Sequence, residues 1–301
     1  MSTKKRTTAR KPAASPLAPK SLFQSLEIPE YGYWIGIAVL TAWYYYFSTV
    51  STGFYQHDEI SHYLGMKKFF DEPTSSLSVW AKPGYKILYA IPALLGLKFV
   101  FLVNCLVIAT TAYICTLIAK ELKMGNRLLA MLFFAAQPII LQVSFRCYSE
   151  VLVTLLIALL ALFYYRKQFI AAALIMSYIF IVRFEMGLIA VIMAGIFLAN
   201  RRWIPFLLLG TFPLLLNIVG WMVYGDPIWL INDVLLKGTK YQILQMGFFH
   251  YWRIFTPVIG ALTTGFLLVS LFAFSSMDEF KEFYRKYHML LILFLVSFFS
   301  Y

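Results

Sequence analysis

Apolar residues fall along this chain in blocks of about twenty, each closed by a short polar or charged stretch, and about twenty apolar residues in a helix cross the roughly 30 Å hydrocarbon core of a bilayer. The pattern predicts spans at 33–50, 97–119, 128–143, 151–165, 169–182, 187–198, 205–224 and 254–275, with an unfinished ninth from Met289. The expected fold class is therefore all-α, a polytopic transmembrane helical bundle of about eight full spans plus a partial ninth. In the first long connection, 51–96, Ile60, Tyr63, Leu64 and the stretch from Lys67 to Phe70 recur at helical spacing, which predicts an amphipathic helix on the membrane surface. The segment 83–95 reads as a second such helix or as the early part of the next span. Because the run from Met289 to Tyr301 is too short to cross, the transmembrane domain, 31–301, is expected to continue beyond Tyr301.

Charge assigns the two sides. Residues 1–30 hold Lys4, Lys5, Arg6, Arg10, Lys11 and Lys20 among Thr, Ala, Ser and Pro, and have nothing with which to form a core, so a disordered basic tail in the cytosol is expected. The first apolar run is long and lacks a small-residue cleavage pattern, so it reads as an uncleaved span. With the tail inside, Lys120, Lys123 and Arg127, then Arg166 and Lys167, then Arg201 and Arg202, then Lys281, Arg285 and Lys286 fall on the cytosolic side of successive hairpins. The long connections, 51–96 and 225–253, then face outward and mark the extracytoplasmic side as the functional one. They contain no Asn-x-Ser/Thr, which leans toward a bacterial cytoplasmic membrane over the endoplasmic reticulum.

Composition removes the competing classes. The chain is 61% hydrophobic and 13% charged with a mean hydropathy of +0.73, which rules out a soluble globule, a disordered chain or a secreted disulfide scaffold. The net charge of +12 becomes a topology signal, and no nucleic-acid partner is expected. Cys105, Cys115 and Cys147 lie in or beside apolar runs and read as small packing residues. The Trp43–Tyr46 stretch and Trp252 read as interface belts. Phosphate-binding Gly-x-x-x-x-Gly-Lys-Ser/Thr, Gly-x-Gly-x-x-Gly, His-Glu-x-x-His and Gly-x-Ser-x-Gly motifs are all missing from the sequence.

The sharpest chemical feature is Gln56-His57-Asp58-Glu59, just after the first span. Two adjacent carboxylates at the start of a surface helix are placed for general-base work or for a metal ion, and equally for capping that helix through Asp58. Asp58 with His62, at i,i+4, or Glu59 with His62, at i,i+3, could hold a loosely bound Mg²⁺ or Mn²⁺ against a phosphate, though no cofactor is required. Arg146 and Glu150 are spaced for a salt bridge if their turn is helical, whereas Arg183 and Glu185, two apart, do not face each other on a helix. Charges at the ends of spans mark a substrate site or neutralise one another, for instance Arg183 with Glu150. Lys82, Lys86, Lys237, Lys240, His250 and Arg253 are further candidates for an anionic headgroup, or snorkelling charges.

Together these stretches resemble the GT-C glycosyltransferases, and most closely the mannosyltransferases of GPI-anchor and N-glycan assembly that use polyprenyl- or dolichyl-phosphate mannose. Tyr55-Gln56-His57-Asp58-Glu59 is similar to the family's His-Pro-Asp-Glu signature, without the proline. Val79-Trp80-Ala81-Lys82-Pro83 resembles its aromatic-then-Arg-x-Pro region, with Lys82 at the arginine position. The stretch 144–156, with Ser149-Glu150, and Ile181-Val182-Arg183, followed by Phe184 where a proline is usual, complete the likeness, which covers about 31–230 and includes Tyr224-Gly225-Asp226-Pro227.

The resemblance implies an inverting transfer of a sugar, mannose favoured, from a polyprenyl-phosphate donor to a hydroxyl of a glycan, lipid or protein acceptor. Asp58 would be the base, with Glu59 second, while Lys82, Arg146 and Arg183, with Glu150 and Glu185, would form the substrate site. A non-enzymatic lipid or sugar transporter, with Glu150, Arg183 and Glu185 along its path, is the rival expectation. A membrane acyl- or phospho-transferase using His57 or His62 is a third.

Overall fold

The computed structural model describes residues 28–51, 54, 56–77, 81–236, 260–270, 274 and 276–299. The described part is all-α, with thirteen α-helices and no strand. They are α1 (Glu30–Val50), α2 (His57–Lys67), α3 (Pro83–Leu94), α4 (Leu97–Glu121), α5 (Arg127–Ala135), α6 (Pro138–Val143), α7 (Ser149–Tyr165), α8 (Phe169–Val182), α9 (Gly187–Ala199), α10 (Trp203–Leu208), α11 (Thr211–Tyr224), α12 (Ala261–Ser270) and α13 (Met277–Phe299). Short 3₁₀ turns occupy Pro73–Leu77 and Phe184–Met186, and a π-helical turn occupies Leu230–Leu236.

The helix ends fall where the apolar runs are punctuated. Asn126 caps α5 by accepting the backbone N–H groups of Leu128 and Leu129. Two expected spans are broken. The 128–143 run divides into α5 and α6 at Gln137-Pro138, because proline cannot donate to the preceding turn. The 205–224 run starts two residues early and divides at Leu209-Gly210. The ninth run also differs from expectation: Met289 lies in the middle of α13, which begins at Met277, so Lys281, Arg285 and Lys286 are on a helix instead of in a hairpin loop. Of the expected span 254–275, residues 260–270, which include α12, and 274 are described, and residues 1–27 of the basic tail, Lys237, Lys240, His250, Trp252 and Arg253 lie outside the described residues.

Helix α4 packs against α1, α5 and α7, and α7 packs in turn against α8, forming the centre of the bundle. The core there is aliphatic and sulfur-rich, with Ile108, Leu160, Met176, Ile179 and Met193 fully buried and buried Cys105 and Cys147 as unpaired small packing residues. Two stretches, Leu97–Glu121 and Trp203–Tyr224, are long and apolar enough to cross a membrane. Large apolar side chains also cover much of the exterior: Trp34, Val39 and Trp43 on α1, Ile87, Ile91 and Leu94 on α3, and Leu214, Trp221 and Met222 on α11, the last 81% exposed.

The chain runs back and forth between two ends. At one, Glu30 at the start of α1 pairs with Lys120 and Arg127 at 3.5 and 3.4 Å, and Arg166 meets Glu121 at 2.9 Å. At the other, Glu150 at the start of α7 meets Arg183 at the end of α8. Helices α2 and α3 and the turns 144–148 and 183–186 gather at this Glu150 end.

Candidate functional site

Helix α2 begins with His57, so Asp58 and Glu59 both fall in its first turn, but they face opposite environments. Asp58 is exposed, whereas Glu59 has no solvent-accessible surface. The buried face of α2 is Glu59, His62 and Met66, spaced i, i+3, i+7, and it packs on α3. Its apolar Ile60 and Leu64 are exposed instead. A helix is thus present where Ile60 and Leu64 predict one, but the face it buries carries a polar pair, Glu59 and His62, that periodicity could not reveal.

Glu59 takes the capping role that the sequence left open for Asp58. Its Oε2 accepts the backbone N–H of Gln56 at 3.2 Å, and its Oε1 accepts that of Cys147 at 3.4 Å. The Arg146 guanidinium lies 3.7 Å from Oε2. Arg146 therefore pairs with Glu59, 87 residues away, and the expected Arg146–Glu150 bridge does not form, because the chain makes a turn before α7 starts at Ser149. Asn104, a lone amide in the 25-residue apolar helix α4, donates from Nδ2 to the Arg146 carbonyl at 2.6 Å. Tyr148 donates its hydroxyl to Oε1 of Gln56 at 3.0 Å. Sequence reasoning did not single out Asn104; its signal was an amide in the middle of an otherwise apolar span.

Arg183 is buried and ion-paired with Glu150, and its Nε lies 3.6 Å from Glu185. The second contact corrects the expectation for that spacing. Arg183 is extended, at φ −147° and ψ 110°, and Phe184–Met186 is a 3₁₀ turn, so residues two apart can meet.

Lys82 is brought to the same place by the start of α3. Gly84 sits so close to α8 that an added Cβ would meet Val182 and Ile181 at 2.8 and 3.0 Å, and Tyr178 donates its hydroxyl to the Gly84 carbonyl at 2.7 Å. Lys82 itself has left-handed backbone, φ 49° and ψ 65°, a conformation costing roughly 1–2 kcal/mol in a non-glycine residue. Burial, then the neighbouring Arg183 guanidinium, holds its ammonium below the ordinary lysine value, against the pull of Glu150, Glu185 and Asp58. Among the described residues, neither Lys82 nor Asp58 has an ion-pair partner within 4 Å. Val79 and Trp80, just before this turn, lie outside the described residues, as does Tyr55.

His62 stands edge-on to Tyr85, ring centroids 5.8 Å apart. Burial first, then Lys82, pushes its pKa down to about 4, opposed by Glu150 and Asp58. It is a neutral imidazole at pH 7, fixed beneath the site. Behind it, Lys86 lies across Gly65, where an added Cβ would come within 2.7 Å of its Nζ. His62 turns into the α3 interface while Asp58 stays exposed, so Asp58 is the accessible donor of the pair considered for Mg²⁺ or Mn²⁺. Among the described residues, no three His, Cys, Asp or Glu side chains group closely enough to hold a metal ion.

All seven candidate residues, Asp58, Glu59, Lys82, Arg146, Glu150, Arg183 and Glu185, thus come to one end of the bundle. Glu59 with Arg146 forms a neutral pair, Arg183 with Glu150 and Glu185 forms a group with one carboxylate in excess, and Asp58 and Lys82 lie at the same end. No family model, curated protein or solved structure gives a significant match to the chain.

Proposed function

We propose that the chain is a multi-pass membrane glycosyltransferase that moves a sugar, mannose favoured, from a polyprenyl-phosphate donor to an acceptor hydroxyl on the extracytoplasmic face. The membrane part of this reading is supported by the exposed apolar faces of α1, α3 and α11, since large contiguous apolar patches mark membrane or protein contact surfaces. It is also supported by the spacing of charge. No Asp, Glu, Lys or Arg interrupts α7 between Glu150 and Arg166, or α4 between Lys98 and Lys120, intervals of about 24 and 33 Å of helix that bracket a hydrocarbon core. The Lys167 end, with its basic turns, faces the cytosol in this reading.

The observation that carries the chemistry is the exposed Asp58 carboxylate at the same end as Lys82, whose ammonium lies in the field of the Arg183–Glu150–Glu185 group and its one excess carboxylate. The acceptor hydroxyl gives its proton to Asp58 while its oxygen bonds to the anomeric carbon. The bond from that carbon to the donor phosphate oxygen breaks, and the electron pair leaves with the lipid phosphate. A single displacement inverts the anomeric centre. Lys82 meets the charge developing on the phosphate, in surroundings where burial strengthens the interaction. Glu59 and Arg146 hold α2 and the 144–148 turn in register, and Arg183, through Glu150, holds α7 and α8 together beneath Lys82. Glu59 is therefore a positioning residue in this reading, and Asp58 the base.

The test is reconstitution of the chain in liposomes with radiolabelled polyprenyl-phosphate mannose and a panel of hydroxyl acceptors, comparing wild type with Asp58→Asn. Transfer by the wild type with product of inverted configuration, lost in Asp58→Asn, is the expected result. Equal transfer by both removes Asp58 as the base, and transport of the donor without transfer favours the transporter.

A further inference from the structure

The end of the bundle opposite Asp58 carries a second arrangement of cations that the proposed reaction does not use. Lys123, Lys167 and Arg201, each just past a helix C-terminus, have left-handed backbone, at φ 52°, 59° and 54°. In each case the next residue donates its N–H to the carbonyl five residues back: Met124 to Ala119, Gln168 to Phe163 and Arg202 to Phe197, at 2.8–2.9 Å. This is the Schellman closure, where glycine is usual. Three basic residues fill the position instead.

Two of these turns lie side by side because α8 packs on α10, and between them is a cleft of about 710 Å³. Its described lining includes Lys167, Arg201 and Arg202 and no carboxylate. Arg202 packs its guanidinium 3.5 Å from the ring centre of Phe169, which fixes one cation in the wall. Lys167 and Arg201 are exposed at the rim. One side of the cleft continues into Ile204, 64% exposed, and Leu207, 70% exposed, one turn further along α10.

We propose that this cleft is a binding site for the headgroup of an anionic phospholipid, distinct from the donor site at the other end. Three cations with no compensating carboxylate call for a phosphate, and the apolar track beside them calls for an acyl chain, which a soluble phosphate lacks. The proposal rests on the membrane reading above, but not on the sugar transfer.

The test uses the full chain. Flotation with phosphatidylcholine vesicles first establishes membrane association, and its failure overturns the membrane reading together with this site. Native mass spectrometry from detergent then measures retention of phosphatidylglycerol against phosphatidylcholine of the same chain length. Wild type is expected to prefer phosphatidylglycerol by about tenfold or more, and Lys167→Gln/Arg201→Gln, which leaves the Arg202–Phe169 contact in place, to fall to within about twofold. Lys120→Gln/Lys123→Gln, at the turn outside the cleft, should keep the preference. A preference that survives Lys167→Gln/Arg201→Gln, or is lost equally in the control, overturns the site. Displacement of the lipid by an equimolar amount of glycerol phosphate assigns the cleft to a soluble anion instead and overturns it as a lipid site.

Discussion

The two ends of the bundle handle charge in opposite ways. At the Asp58 end, Glu59 and Arg183 are buried and answered by partners distant in sequence, Arg146 and Glu150, and the backbone is irregular: an extended Arg183, a 3₁₀ turn and a left-handed Lys82. At the Lys167 end, the same left-handed conformation appears three times inside one repeated turn, and the Lys and Arg side chains at that position are exposed. Burial raises the energetic weight of every charge and demands compensation. Exposure leaves cations worth little to the fold and available to a partner. Reaction chemistry is therefore expected at the first end, and recognition of bulk anionic lipid at the second.

The sharpest way to break this contrast is to remove one charge from each end. Asp58→Asn should lower sugar transfer by about 10²–10⁴-fold, the range for loss of a general base, with an unchanged thermal transition in detergent. Lys167→Gln should leave transfer within about twofold of wild type. Comparable losses in both variants would show that activity depends on overall charge and not on the end that carries it.

Stability separates the ends as well. Arg146→Ala leaves Glu59 buried without its guanidinium, a loss of about 3–5 kcal/mol in a fully buried pair, and the lower part of that range is expected because the Arg146 side chain is 14% exposed. Denaturant unfolding in detergent reads this, and the double variant Glu59→Gln/Arg146→Met should recover part of the loss. Arg166→Ala at the other end breaks a pair with both side chains about one-third exposed, and should cost less than about 1 kcal/mol.

The differences between these pairs also mark what could be read from sequence. The limits of α7, α8 and α9 were legible because Arg166-Lys167-Gln168 and Arg201-Arg202 interrupt long apolar runs, and the convergence of Lys82, Glu150 and Arg183 followed from counting hairpins. The assignment of Glu59 to the interior and Asp58 to the surface was not legible. It depends on the angle at which α2 meets α3 and on the turn that carries Arg146, neither of which leaves a periodic trace. Arg183 and Glu185 were misjudged through helical spacing, because their turn is not α-helical. The Schellman turns were hidden for a local reason: their marker is glycine, and here Lys or Arg takes its place.

A pH titration tests the buried end alone. His62 has its pKa lowered from 6.5 to about 4, so the unfolded chain binds its proton first as pH falls. The stabilisation is present in full above pH 6.5 and lost as pH drops toward 4, a change on the order of 2–3 kcal/mol. Lys82 and Lys86 from the α3 side oppose protonation, while Asp58 and Glu150 favour it. The unfolding midpoint should therefore fall between pH 6.5 and 4 in wild type and change less in His62→Gln. Equal slopes in the two would assign the pH response to other groups.

The smallest effect is expected from Lys123→Gly, and its sign is informative. Glycine relieves the left-handed strain at φ 52°, which favours the variant by about 1 kcal/mol. Against this, the change removes a cation beside the C-terminal end of the α4 dipole, worth about 0.3–1 kcal/mol, and adds chain entropy to the unfolded state. The net change in unfolding free energy should lie within about 0.5 kcal/mol of zero. A nearly neutral result means that the fold gains almost nothing from lysine at this turn, so its retention there, as at Lys167 and Arg201, has to be sought in what the exposed cations meet outside the protein. A clear loss of stability would mean that the cation holds the turn itself, and the contrast between a buried, structurally coupled end and an exposed, recognising one would narrow to the cleft at Arg201 and Arg202.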